Sequence, residues 1–144
     1  MSIKQISIFL ENRPGTLQSL CEALADANVD MRALSLAEAG DFGIARIIVD
    51  KLYEGTQALK DAGFVCSVTP VVAAAIPDTP GGLGRVLATL SSTGNHIDYM
   101  YAFLGGPKAN HACMIFKTAD PARAALALKA NGITVLEQED VEAL

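Results

Sequence analysis

The sequence predicts an α+β protein made of two ferredoxin-like βαββαβ units, each an antiparallel sheet with its helices on one face. Three observations lead there. Leu17, Leu20, Cys21 and Leu24 stand at the i, i+3, i+4, i+7 spacing of an amphipathic helix, and Leu83, Val86, Leu87 and Leu90 repeat it. Each set follows a Pro-Gly pair, Pro14-Gly15 and Pro80-Gly81. Val29-Asp30-Met31 recurs as Ile97-Asp98-Tyr99, and Ala58-Leu59-Lys60-Asp61-Ala62-Gly63-Phe64 as Ala127-Leu128-Lys129-Ala130-Asn131-Gly132-Ile133. The matches come in the same order with little drift, which is the mark of an internal duplication.

Residues 1–69 read as the first unit. Ile3 to Leu10 is rich in β-formers, with Ile6, Ile8 and Leu10 on one face and Phe9 on the other. Pro14 suits the first turn of a helix, where its missing N–H costs nothing, and that helix runs to about Ala27. Val29 to Leu36 and Phe42 to Val49 form a hairpin around Ala39-Gly40-Asp41. A second helix from about Leu52 to Ala62 stops at Gly63, and Phe64 to Val68 closes the unit.

Residues 70–144 repeat the plan. Val71 to Ile76 is a strand, and Asp78-Thr79-Pro80-Gly81-Gly82 opens a helix. His96 to Leu104 and His111 to Lys117 pair around Gly105-Gly106-Pro107-Lys108. Asp120 caps a helix that has Pro121 at its first position and ends at Asn131-Gly132. Ile133 to Leu136 is the last strand, and Glu137 to Leu144 reads as a solvated acidic tail. Val68-Thr69-Pro70-Val71 passes from strand to strand with no room for a flexible linker, and a strand swap at Pro70 stays open. The sheet faces without helices are apolar enough to need cover, so the units are expected to associate and the chain to form a homodimer.

Composition narrows the function classes. A net charge of −5, aromatics at 6% and no Trp argue against nucleic acid, which needs a basic face and stacking rings. No apolar run approaches the ~20 residues of a membrane span, and Met1 to Gln5 lacks a signal-peptide pattern. A cytoplasmic chain without membrane contact is expected. Cys21, Cys66 and Cys113 are scattered and read as core fillers, and His96 and His111 as surface or ligand-rim residues. Neither a metal nor a cofactor is expected. P-loop, nucleophile-elbow, G-x-G-x-x-G and H-E-x-x-H motifs are all absent, so no catalysis is expected.

The segment Ile8-Phe9-Leu10-Glu11-Asn12-Arg13-Pro14-Gly15-Thr16-Leu17, with its helix and Val29-Asp30-Met31, closely resembles the first-strand and loop signature of ACT domains. Ile76-Pro77-Asp78-Thr79-Pro80-Gly81-Gly82-Leu83 resembles it more weakly. The resemblance covers nearly the whole chain and implies a stand-alone tandem ACT protein, a regulatory, allosteric module that binds a free amino acid. It implies a ligand at Leu10, Asn12, Arg13, Pro14, Gly15, Thr16 and Leu17, with Asp30 and Met31 contributed from a facing unit. The counterparts in the second unit are Asp78, Thr79, Pro80, Gly81, Gly82 and Leu83, with Asp98 and Tyr99. Some serine-responsive members carry Asn and His where this chain has Asp30 and Leu10, so the resemblance does not single out serine.

The chemistry of these residues suits that role. A helix start offers unsatisfied N–H groups to a carboxylate. Gly15 and Gly81 allow close approach, and Asn12 both donates and accepts. Arg13 adds a charge-assisted contact or pairs with Glu11 at the surface. Asp30 and Asp98 serve either an ammonium or the solvent, and Tyr99 and Tyr101 either a pocket or an interface. The second loop exchanges a cation for an acid, so the two loops are expected to differ. A ligand-independent role as a subunit of an amino-acid-metabolism enzyme or regulator is the competing expectation.

Overall fold

A computed structural model describes residues 2–104 and 111–144. The expected turn Gly105-Gly106-Pro107-Lys108 lies outside the described residues. Contacts divide the chain into a unit of residues 4–69 and a unit of residues 70–144 that also takes in 1–3.

The first unit holds β1 (Ile3–Glu11), α1 (Thr16–Asp26), β2 (Met31–Ala39), β3 (Phe42–Val49), α2 (Leu52–Asp61) and the start of β4 (Val65–Pro77). Its strand order is β2-β3-β1-β4, with β3 antiparallel to both β1 and β2. Strands β1 and β2 therefore run parallel, and both end at the same edge of the sheet. Alternation along β1 sends Ile6, Ile8 and Leu10 towards the helices. They meet Leu20 and Leu24 of α1, Leu59 of α2, and Ala45, Ile47 and Val49 of β3. Each fully buried Leu or Ile contributes about 1.5–3 kcal/mol. Phe9, on the opposite face, is 58% exposed.

The second unit holds the rest of β4, then α3 (Gly82–Ser92), β5 (Ile97–Ala102), β6 (His111–Thr118), α4 (Pro121–Ala130), β7 (Thr134–Val135) and α5 (Gln138–Glu142). Strand β4 pairs antiparallel with β6 and, through Ala74 and Ala75, with β7. Strand β6 also pairs with β5. Val72, Ala74, Ile76, Val86, Leu90, Phe116 and Leu128 fill the core. Asp120 caps α4 by accepting from the Arg123 N–H at 3.1 Å, with Pro121 in the first turn as its fixed φ favours.

Both units are thus ferredoxin-like α+β sandwiches, and four details depart from expectation. Gly15 adopts φ +90 at the N-cap, so α1 begins at Thr16 and Pro14 stays in the turn before it. The expected strands at 64–68 and 71–76 are one strand, because Pro70 tolerates extended backbone. The acidic tail is not simply solvated. It forms α5 with a capping box between Glu137 and Asp140, and it buries Val141 completely.

The fourth departure concerns the alignment of the repeats. Thr16 to Gly82, Gly15 to Gly81 and the left-handed Asn28 to the left-handed Gly94 all give an offset of 66 residues. The offset holds into the next strand, where Met31 opposite Val49 matches Ile97 opposite Thr118. Asp30 therefore corresponds to His96, and Asp98 to Arg32. The sequence match of Asp30 with Asp98 is not a structural equivalence. Three residues added between the hairpin strands raise the offset to 69 from Phe42/His111 onwards.

Candidate functional site

The segment after β1 is a tight turn held by its own backbone. The Arg13 N–H donates to the Glu11 carbonyl at 2.9 Å, and the Thr16 N–H to the Arg13 carbonyl at 3.5 Å. Thr16 Oγ1 lies 2.9 Å from the Glu11 carbonyl and 3.0 Å from that of Arg13. Asn12 fastens the turn to the β2–β3 corner. Its N–H donates to the Asp41 carbonyl at 2.9 Å and its Nδ2 to the Gly40 carbonyl at 3.0 Å.

No side chain caps α1. The Ser19 N–H already bonds the Gly15 carbonyl at 3.0 Å, which leaves the N–H groups of Leu17 and Gln18 for an outside acceptor. Beside them lies a cavity of about 380 Å³, lined by Leu10 to Leu17 and closed by Leu36, Ala37, Glu38 and Gly43. A Cβ built on Gly15 would meet nothing within 4 Å, so the backbone is open on that side. The end of β2 was absent from the sequence-based site. Its presence follows from the parallel course of β1 and β2.

The second unit repeats three backbone bonds of the turn. The Thr79 N–H donates to the Pro77 carbonyl at 2.9 Å, the Gly82 N–H to the Thr79 carbonyl at 3.0 Å, and the Arg85 N–H to the Gly81 carbonyl at 3.1 Å. Gly81 has φ +83. Gly82 stands where Thr16 does, because a Cβ there would strike the Pro77 carbonyl oxygen. Asp78, Thr79 and Pro80 are exposed on this turn, and Leu83 is partly so.

The other expected site residues lie elsewhere. Asp30 and Met31 sit at the start of β2, roughly 25 Å along the strand from the end that lines the cavity. Asp30 pairs with Arg32 at 2.7 Å, and its N–H donates to Asp50 Oδ1 at 2.8 Å. Asp98 lies near the start of β5, 3.4 Å from Lys117 Nζ and 4.0 Å from His96 Nε2. Tyr99 stacks on Tyr101 with ring centroids 6.4 Å apart. Neither aspartate joins the loop of its own unit. Arg13 pairs with Glu11 at 3.0 Å while both stay exposed, a geometry worth little energetically.

Among the described residues, no group of three or more His, Cys, Asp or Glu could hold a metal ion, and no helix is long and apolar enough to cross a membrane.

A family model described as the ACT domain pair matches residues 1–144. The solved structure of protein BT0572 from Bacteroides thetaiotaomicron is 38% identical, covering 100% of this chain and 98% of its own at a TM-score of 0.91. The ligand-free regulatory subunit of aspartate kinase from Thermus thermophilus aligns over 88% of this chain and 91% of its own, at 16% identity and a TM-score of 0.63. The corresponding subunit from Thermus flavus aligns over 88% and 90%, at 18% identity and a TM-score of 0.60. At such identities the two kinase subunits share the fold. No curated protein matches the sequence.

Proposed function

Because the chain belongs to the ACT domain pair family, a regulatory class of module, we propose that it senses a free amino acid at an interface between ACT units. The observation that carries this reading is the uncapped start of α1. There Leu17, with its unbonded N–H, and the bare Gly15 backbone border a cavity of about 380 Å³. An α-carboxylate is the group such a helix start favours. The ammonium needs an acid, and Glu38 lines the same cavity. Asp30 reaches a loop only from another unit or another copy of the chain. That fits a homodimer, as do the exposed Phe9, Phe42 and Val65. Binding then stabilises whichever arrangement the ligand prefers, by no more than its differential affinity.

A second reading, a ligand-independent subunit of an enzyme of amino-acid metabolism, is favoured by one observation. Arg13, Asp30 and Asp98 are all already paired within their own units.

Calorimetric titration of the wild type and Gly15→Ala with an amino acid tests the site. Alanine costs about 1–2 kcal/mol at a positive φ but clashes with nothing in the free protein. The expected result is a folded variant with binding weakened roughly tenfold or more. Undiminished binding would place the site elsewhere.

A further inference from the structure

Each unit carries a notch on another side of its first helix start, between the end of the first strand, the start of the third strand and the turn after the second helix. In the first unit the notch measures about 450 Å³ and is lined by Phe9, Phe42, Phe64 and Val65, together with the paired Glu11 and Arg13. In the second unit it measures about 390 Å³, and duplication has changed its chemistry. His111 stands in the place of Phe42, Arg85 in that of Ser19, Asn131 in that of Ala62, Thr134 in that of Val65, and Pro77 in that of Glu11.

The first notch is lined by three phenylalanines beside the polar Thr16 and Ser19, and its cation, Arg13, is neutralised by its own acid at 3.0 Å. The second keeps one guanidinium, now that of Arg85, has lost the acid and the phenylalanines, and gains an imidazole and an amide. No Asp or Glu lines it, and no described carboxylate pairs with Arg85. Asn131 Nδ2 is held by the Ala127 carbonyl at 2.9 Å, which fixes that side chain on the rim. Gly82 forms part of the wall and is barred from carrying a side chain by the Pro77 carbonyl.

We propose that the Arg85–His111 notch of the second unit is a binding site for a small oxyanion, a carboxylate or phosphate group, separate from the amino-acid loop at Gly15. Arg85 supplies planar two-point recognition of the anion, and His111 supplies a donor from the opposite strand. A guanidinium in a cavity with no acid lining it attracts such a group.

The test is amide-resolved NMR titration of the full-length protein with sodium phosphate and, separately, sodium succinate, at constant ionic strength set with sodium chloride. Saturable shifts are expected at Gly82, Arg85, Gly132 and Thr134 with at least one of the two probes. The probe that saturates identifies the class of anion. R85Q, at an exposed position that leaves the core untouched, should weaken that binding roughly tenfold or more. H111F, which restores the first unit's residue, should weaken it as well. Shifts that stay linear with both probes, appear only around Gly15, or survive R85Q unchanged would overturn the proposal. The amino-acid reading of the Gly15 loop would be unaffected by that failure.

Discussion

Asn12 and Gly40 are joined by a 3.0 Å hydrogen bond from Asn12 Nδ2 to the Gly40 carbonyl, and the Asn12 N–H reaches the neighbouring Asp41 carbonyl at 2.9 Å. The candidate loop is therefore strapped to the β2–β3 corner, close to the cavity wall from Leu36 to Glu38. Asn12→Ala removes one strap. The bond is exposed, so the stability loss should be near 1 kcal/mol, read by denaturant unfolding. Faster amide exchange is expected at Asn12, Arg13 and Thr16. Unchanged exchange would mean that the backbone bonds hold the turn alone.

Thr118 is fully buried, and its Oγ1 has no hydrogen-bond partner among the described residues. The structurally equivalent residue of the first unit is Val49. A buried hydroxyl without a partner costs about 1–3 kcal/mol. Thr118→Val keeps the shape and removes that cost. We expect a gain of about 1 kcal/mol in chemical denaturation. A loss would show that the hydroxyl is satisfied in solution.

Helix α5 should matter to the fold. Val141→Ala is expected to cost roughly 2 kcal/mol, where a solvated tail would cost nothing. The Glu137 carboxyl that opens this helix is held below the usual carboxylate range, first by its hydrogen bond from Lys129 at 3.2 Å. A carboxyl with a lowered folded pKa adds stability above its unfolded pKa and loses it as the pH falls through the folded one. Lys129→Met should raise the Glu137 midpoint in an NMR titration. An unmoved midpoint would remove Lys129 as the cause.

The fold was largely readable because periodicity survives duplication. Leu20 and Leu24 recur as Val86 and Leu90, and all four are buried. The helix ends were readable from Gly63 and Gly132, both left-handed. The sequence misled where short likenesses outweighed backbone geometry. Asp30 and Asp98 look alike, yet the left-handed pair Asn28 and Gly94 sets the register two residues differently, Asn being a side chain that tolerates that conformation. Val141 was hidden because it stands between Asp140 and Glu142, and with only Ala143 and Leu144 beyond it the tail is too short to carry a periodic signal. In the candidate site, the loop from Asn12 to Leu17 was legible from its turn chemistry. Leu36 to Glu38 join it only through strand direction, and the partners of Arg13, Asp30 and Asp98 depend on side-chain placement that no spacing reveals.

Amino-acid sensing is tested most directly by a thermal-shift screen of the full-length protein against each of the twenty amino acids. At a hundredfold excess over Kd a ligand adds about 2.7 kcal/mol, or roughly 5–10 °C for a chain of this size. One amino acid, or a few of one chemical kind, should raise Tm by that order, and Gly15→Ala should abolish most of the rise. No stabilisation by any of the twenty at millimolar concentration would contradict sensing and favour the ligand-independent subunit.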